Sequence, residues 1–205
     1  MDRVVEEITQ EFEKRSEKEW DEIRRMETAE WQRQMDRFLL SVGPATAQLM
    51  NLLIKEAKAK TVLEVGSSYG YSTVWLAEAV RETGGTVISL EIHPEKQKRA
   101  RDSIERAGLR GFVDFKLGDA RESIRKLTQA IDFVLLDLWK DLYIPCFDLF
   151  YPKLKPGALI VADNMIFPES SREDAAAYQK YIRTKPGIQS LLLPVGFGIE
   201  LSRYL

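Results

Sequence analysis

The stretch TVLEVGSSYGYST, Thr61 to Thr73, decides how the rest of the chain is read. Thr61–Val65 is a short apolar run of strand-forming residues, interrupted only by Glu64. It ends on Gly66 and Gly70, which permit a tight turn and let a ligand approach the backbone closely. Ser72 and Thr73 then open a helix. A strand that passes through a glycine turn into a helix is the start of a βαβ unit, whose ligand side is the carboxyl end of its strands.

The same alternation continues outward. Strands are expected at Thr86–Glu91, Val113–Lys116, Phe133–Asp137 and Ala158–Asp163. Helices are expected at Tyr71–Arg81, Glu95–Ala107, Glu122–Leu127, Ile144–Tyr151 and Arg172–Thr184. Short β-rich runs that are apolar on both faces, separated by helices, predict an α/β fold with a parallel sheet between helical layers. Two further strands, Ile188–Leu193 and Gly198–Arg203, are joined only by Pro194–Phe197, too short for a parallel crossover. They should pair antiparallel.

Upstream of Thr61 the composition changes. Half of residues 1–40 are charged, none is Gly or Pro, and the apolar residues fall at helical spacing. Val5, Ile8 and Phe12 form one stripe; Trp31, Met35, Phe38 and Leu39 form another. Residues 1–40 are read as an N-terminal helical extension whose stripe covers the main domain, a second subunit or a substrate mouth. Residues 41–205 are read as the catalytic domain. The 205 residues carry 30 Lys+Arg against 32 Asp+Glu, a balance that gives no broad footprint for nucleic acid. One cysteine, Cys146, excludes an intrachain disulfide framework and a cysteine zinc cluster, and one histidine, His93, argues against a His-rich metal site or a Ser-His-Asp triad. Any metal must be held by oxygen. No apolar run is long enough to span a bilayer and the first residues lack a secretory core, so a cytoplasmic protein is expected.

The charges at the strand ends discriminate between ligands. A dinucleotide fold sets its pyrophosphate against the glycine turn and the helix start. Glu64, two residues before Gly66, opposes an anion there and favours an ammonium group. Glu91 ends the second strand, where a carboxylate accepts from ribose hydroxyls. Asp119, in Gly118-Asp119-Ala120, stands where an adenine amino group could be received. An amino-acid end, a ribose and an adenine describe S-adenosylmethionine better than NAD.

The fourth and fifth strands also end in acids. Asp137 closes one, and Asp163 with Asn164 closes the other. Three oxygen donors suit Mg²⁺, Mn²⁺ or Ca²⁺. Lys140, three residues after Asp137, becomes a usable base if burial and a neighbouring cation lower its pKa. Its alternative is a surface lysine paired to Asp141. His93, at a helix start, reads as a capping or cofactor-rim residue, and Cys146 as packing.

These segments resemble the class I S-adenosylmethionine-dependent, divalent-metal-dependent O-methyltransferases, the group that includes the catechol and caffeoyl-CoA enzymes. The matching runs are VLEVGSSYGYS (Val62–Ser72), SLEIHP (Ser89–Pro94), GDA (Gly118–Ala120), LLDLWKDLYIP (Leu135–Pro145) and ADNMIFP (Ala162–Pro168). They extend from about Val42 to the C-terminus in family order. The LDLWKDLY and ADNMIFP runs lean toward the catechol branch.

The resemblance implies a Rossmann-like methyltransferase fold, with a seven-stranded, mostly parallel sheet whose last strand is antiparallel. It implies that Asp137, Asp163 and Asn164 bind Mg²⁺ and that Lys140 deprotonates the acceptor hydroxyl. Val42, Glu64, Gly66, Ser68, Ser72, Glu91, Asp119, Ala120, Asp137 and Trp139 would surround the cofactor. Phe38, Trp139, Lys140, Asn164 and Pro168 would meet a small phenolic acceptor, a vicinal diol, whose oxyanion attacks the sulfonium methyl in line. A homodimer is expected, and no membrane partner. The chain departs from the catechol enzymes at Phe38 (tryptophan there) and Leu138 (histidine there), and it has no acid in Gln189–Leu193. Phe197 stands where many relatives have Asp. A tRNA hydroxyuridine O-methyltransferase shares the cofactor and metal residues and is the alternative. An NAD-dependent oxidoreductase accounts for the glycines and Glu91 but not for Glu64 or the second-half acids.

Overall fold

The computed structural model of the chain describes residues 2–34 and 37–205, with Thr28 and Gln32 described by backbone alone. Met35 of the second apolar stripe lies outside the described residues. Helices α1 (Arg3–Ile23), α2 (Thr28–Gln34) and α3 (Gly43–Glu56) precede the first strand. The alternating part runs β1 (Thr61–Val65), α4 (Tyr71–Thr83), β2 (Thr86–Glu91), α5 (Pro94–Arg106), β3 (Val113–Leu117), α6 (Ala120–Lys126), β4 (Ile131–Leu136), α7 (Tyr143–Phe150) and β5 (Leu154–Ala162). Helix α8 (Arg172–Ile182), β6 (Ile188–Leu193) and β7 (Ile199–Tyr204) complete it.

The seven strands lie in the order β3-β2-β1-β4-β5-β7-β6. The first four pairings are parallel, and β7 is antiparallel to both β5 and β6, as the short Pro194–Phe197 link requires. Side chains alternate across each strand. Val62, Val87, Val113, Phe133, Leu135 and Val161 therefore face one core with α1, α3, α4 and α5. Leu63, Val65, Ile88, Leu90, Val134, Leu136 and Ile160 face a second core with α6, α7 and α8. Burial on both sides explains why these strands read as continuous apolar runs.

Two elements depart from the sequence expectation. No helix is expected between Leu40 and Thr61, yet α3 is there. Gly43 and Pro44 start it, with proline at a position where its missing N–H is no loss. Strand β5 begins at Leu154 rather than Ala158, because pairing jumps from Ile131↔Leu154 to Phe133↔Leu159. The intervening Lys155-Pro156-Gly157, with Gly157 at φ +89°, forms a bulge that reads as a turn.

Helix α1 is not a detached preface. Val5, Ile8 and Phe12 sink into the first core, and the Phe12 ring meets Tyr71 edge-on at 5.8 Å. Tyr71 donates to Glu13 at 2.7 Å, and Arg15 lies 4.0 Å over the Tyr69 ring. These contacts lay α1 across α4 and carry its C-terminal half to the carboxyl edge of the sheet. No helix among the described residues is long and apolar enough to cross a membrane.

Candidate active site

Parallel pairing brings the ends of β2, β1, β4 and β5 to one edge. Leu136 is paired with Ala162, so Asp137 and Asp163 leave neighbouring strands side by side. The ladder continues one step beyond the strands: Asp137 N–H donates to the Val65 carbonyl at 2.9 Å, and Asp163 N–H to the Leu136 carbonyl at 3.1 Å. Asn164 then adopts φ +55°, a left-handed conformation that asparagine tolerates better than most residues. It turns the chain, and Asn164 lines the cavity beside Asp137.

Both carboxylate oxygens of Asp163 are buried without a hydrogen-bond partner, and the residue is fully shielded from solvent. A buried acid in that state is costly unless something cationic joins it. Burial pushes its carboxyl well above the ordinary range, and the Asp137 charge adds to the push. Burial also raises Asp137 to about 6, against the pull of Lys140. With Asn164, the two acids present an all-oxygen donor set with an unsatisfied pair of lone-pair-bearing atoms, which fits a hard divalent cation.

Lys140 is not paired to Asp141. Its Nζ donates to the Tyr143 hydroxyl oxygen at 2.5 Å and lies 3.5 Å from Asn164 Oδ1. Tyr143 spends its one proton on the Asp163 carbonyl at 3.1 Å, so its oxygen can only accept from the ammonium. Tyr143 is itself fully buried, edge-on to Tyr178 at 5.4 Å. The lysine is thus held at the acid cluster, and burial lowers its pKa while Asp137 and Asp163 oppose the fall.

The residues expected to surround a cofactor divide into two groups. Gly66, Ser68, Glu91, Asp119, Ala120, Asp137 and Trp139 line one cavity of about 520 Å³ that follows the sheet edge. Gly66 has φ +96°, and a Cβ there would stand 2.0 Å from the Asp137 carbonyl oxygen, so only glycine lets β1 and β4 approach this closely. Glu91 accepts from the Ser68 N–H at 2.8 Å and from the N–H groups of Ile92 and His93. Asp119 caps α6 and is gripped by Arg121, whose guanidinium holds its carboxyl down to about 2. His93 also lines the cavity. Cys146 is fully buried in α7.

Val42, Glu64 and Ser72 do not line the cavity. In place of an open carboxylate facing an ammonium, Glu64 lies on the α4 side of β1 and has no solvent exposure. It accepts from Ser72 at 2.7 Å, Thr73 at 2.8 Å and Ser89 at 2.6 Å. Period-two alternation places it there: Glu64 shares the face of Val62 and pairs across to Ser89. Burial raises its carboxyl to about 7, the three hydroxyls notwithstanding. A carboxyl raised from 4.5 in the unfolded chain to about 7 supports the fold fully below pH 4.5, and that support is lost as pH rises through 7. The stability of wild type minus that of Glu64→Gln should therefore fall by roughly 3 kcal/mol between pH 4.5 and 8 in urea unfolding. A difference that does not change with pH contradicts this placement.

At the other end of the cavity stand Trp139, half-exposed, and Pro168. Phe38 does not join them. It is 1% exposed, with the Arg37 guanidinium 4.8 Å from its ring centroid, and Leu40 and Ser41 line the cavity instead. Trp20, Trp31, Phe167 and Phe197 complete that wall.

A family model described as O-methyltransferase matches residues 13–205. The chain belongs to the O-methyltransferase family. It is 35% identical over 131 residues to a catechol O-methyltransferase of Niastella koreensis, covering 62% of this chain and 59% of that protein. The chain thus spans about three fifths of that relative's length. It is 30% identical over 186 residues to caffeoyl-CoA O-methyltransferase 2 of Eucalyptus globulus, covering 80% and 75%. The fold matches an O-methyltransferase from Bacillus cereus in complex with SAH at TM-score 0.77, over 100% of this chain and 92% of that one, at 23% identity.

Membership of the O-methyltransferase family removes the NAD-dependent alternative. The family match begins inside α1, consistent with that helix packing into the main core. Sequence reasoning missed Tyr143, although its spacing of three from Lys140 on a helix start places the two on one face. It also missed Trp20 and Phe167, whose arrival at this cavity depends on the path of α1 and of the loop after β5.

Proposed function

We propose that the chain transfers the methyl group of S-adenosylmethionine to one hydroxyl of a small vicinal dihydroxy aromatic acceptor. Asp137, Asp163 and Asn164 would hold a divalent cation, and Lys140 would serve as the base. The observation that carries this reading is the fully buried, unpartnered Asp163 carboxylate behind Asp137, Asn164 and Lys140, which line the cavity.

The chain's own residues divide the work. Gly66 and Ser68 leave room for the cofactor along the β1 turn, with Glu91 beneath its ribose and Asp119 and Ala120 toward its base. Trp139 and Pro168 flank the acceptor ring and keep water from it. A bound divalent cation supplies Lewis acidity that makes a phenolic hydroxyl easier to deprotonate at neutral pH. Lys140 Nζ receives that proton, steered by its hydrogen bond to the Tyr143 oxygen. The phenolate oxygen would then attack the sulfonium methyl carbon, the O–CH₃ bond forming as the S–CH₃ bond breaks and S-adenosylhomocysteine leaves as a neutral thioether. No covalent enzyme intermediate is needed. Holding oxygen, methyl and sulfur in line can contribute ~7–11 kcal/mol.

The test is incubation with S-adenosylmethionine and Mg²⁺, with catechol, phenol and undermodified tRNA as competing acceptors and mass-spectrometric detection. Monomethylated catechol and unreacted phenol are expected. Equal methylation of phenol, or methylation of the tRNA alone, overturns the vicinal-diol reading.

A further inference from the structure

We infer that Trp20, carried to the cavity mouth by α1, is a specificity-determining residue that, with Phe167 and Phe197, selects an acceptor with a second coplanar ring. The inference rests on the reading above of this end of the cavity as the acceptor end.

Three rings from three separate elements meet there. Trp20 lies 5.4 Å from Phe197 and 6.2 Å from Phe167, and Phe167 lies 5.4 Å from Phe197, with interplanar angles of 32–59°. Tilted rings at these separations attract one another, and all three line the cavity. Phe167 keeps 45% of its surface exposed at the cavity mouth.

Each ring is fixed from behind. The N–H groups of Ile166 and Phe167 both donate to the Phe197 carbonyl, at 2.9 and 3.1 Å. Gly198, at φ +88°, sits so close to Ile166 that a Cβ would fall 2.4 Å from its side chain. The loop after β5 and the turn before β7 are therefore clamped together. On α1, Glu19 accepts from the Leu39 N–H at 2.6 Å, anchoring the helix one residue before Trp20. Pre-set rings lose little freedom on binding, which favours recognition of a rigid planar ligand.

The wall also sets size. A ring seated beside Lys140 meets Trp139 and Pro168. The area of Trp20, Phe167 and Phe197 is additional to that pair and is matched by a second ring. The six residues Trp20, Trp31, Leu40, Phe167, Pro168 and Phe197 carry no charge; the lysines that line the same cavity are Lys96 and Lys140.

The experiment is calorimetric titration of the full-length protein, with S-adenosylhomocysteine and Mg²⁺ present, by 2,3-dihydroxynaphthalene and by catechol. Wild type is expected to bind the naphthalene diol about tenfold more tightly, the scale of one aromatic contact plus the burial of a second ring. Trp20→Ala and Phe197→Asp should each reduce that ratio to about two or less, whereas Trp20→Phe, which keeps a ring and guards against a folding artefact, should retain most of it. A wild-type ratio near one, or a Trp20→Ala protein that weakens both probes equally, overturns the assignment. If the ratios follow expectation and neither diol is methylated in a separate assay with S-adenosylmethionine and Mg²⁺, the wall assignment stands and the methyl-transfer reading falls. If both diols are methylated and bound without preference, the reverse holds.

Discussion

Asp163→Asn is expected to lower turnover about a thousandfold or more while raising the melting temperature of the metal-free protein. The two effects have one origin. Asp163 is shielded on all sides, and neither of its carboxylate oxygens has a partner. Its burial and the adjacent Asp137 push the carboxyl well above its usual range, so an ionisable acid is maintained against the fold. Replacing it with an amide of the same shape relieves about 1 kcal/mol or more, worth roughly 2–4 °C in a chain of this size. The same replacement removes an anionic donor from the cation site, and a thousandfold loss corresponds to about 4 kcal/mol of transition-state stabilisation. An acid kept for packing would behave oppositely: its loss would lower stability and leave turnover intact. Paired thermal melts and initial rates separate the two.

Lys140→Met should reduce kcat by roughly 10²–10⁴, the range for removing a positioned base, with the dissociation constant for S-adenosylmethionine changed less than about threefold. The long apolar side chain of methionine fills the space of the lysine stem, so the loss isolates the amine. Tyr143→Phe should act in the same direction and more weakly, because the amine remains and only its 2.5 Å anchor is lost. Single-turnover rates with saturating cofactor provide the measurement. An unchanged kcat in Lys140→Met removes the lysine as base; a loss confined to KM makes it a binding residue.

The order of strand and helix was legible because each central strand is buried on both faces, and burial of that kind leaves a continuous apolar run. The acid cluster was legible for a related reason. In parallel strands the carboxyl ends share one edge, so Asp137 and Asp163–Asn164 had to converge once their strands were identified as neighbours. The orientation of a single side chain was harder to read. Glu64 lies in the strand that lines the glycine turn, but a side chain inside a strand belongs to one sheet face or the other. Alternation assigned it to the α4 side, where Ser72, Thr73 and Ser89 take its oxygens. Phe38 illustrates a different limit: its proximity in sequence to the cavity-lining Leu40 and Ser41 does not bring its ring to the cavity. The mouth was least legible. Trp20 is more than a hundred residues of chain from Phe167 and Phe197, and only the lie of α1 over α4 and the clamp at Gly198 bring the three together.

The central claim is that methyl transfer in this chain depends on a divalent cation held by Asp137, Asp163 and Asn164. Its most direct test is the rate of catechol methylation from S-adenosylmethionine, measured after EDTA treatment and again as Mg²⁺ is restored. The expected result is loss of turnover with EDTA, recovery that saturates with added Mg²⁺, and no recovery in Asp163→Asn. Methylation that proceeds undiminished in excess EDTA contradicts the account.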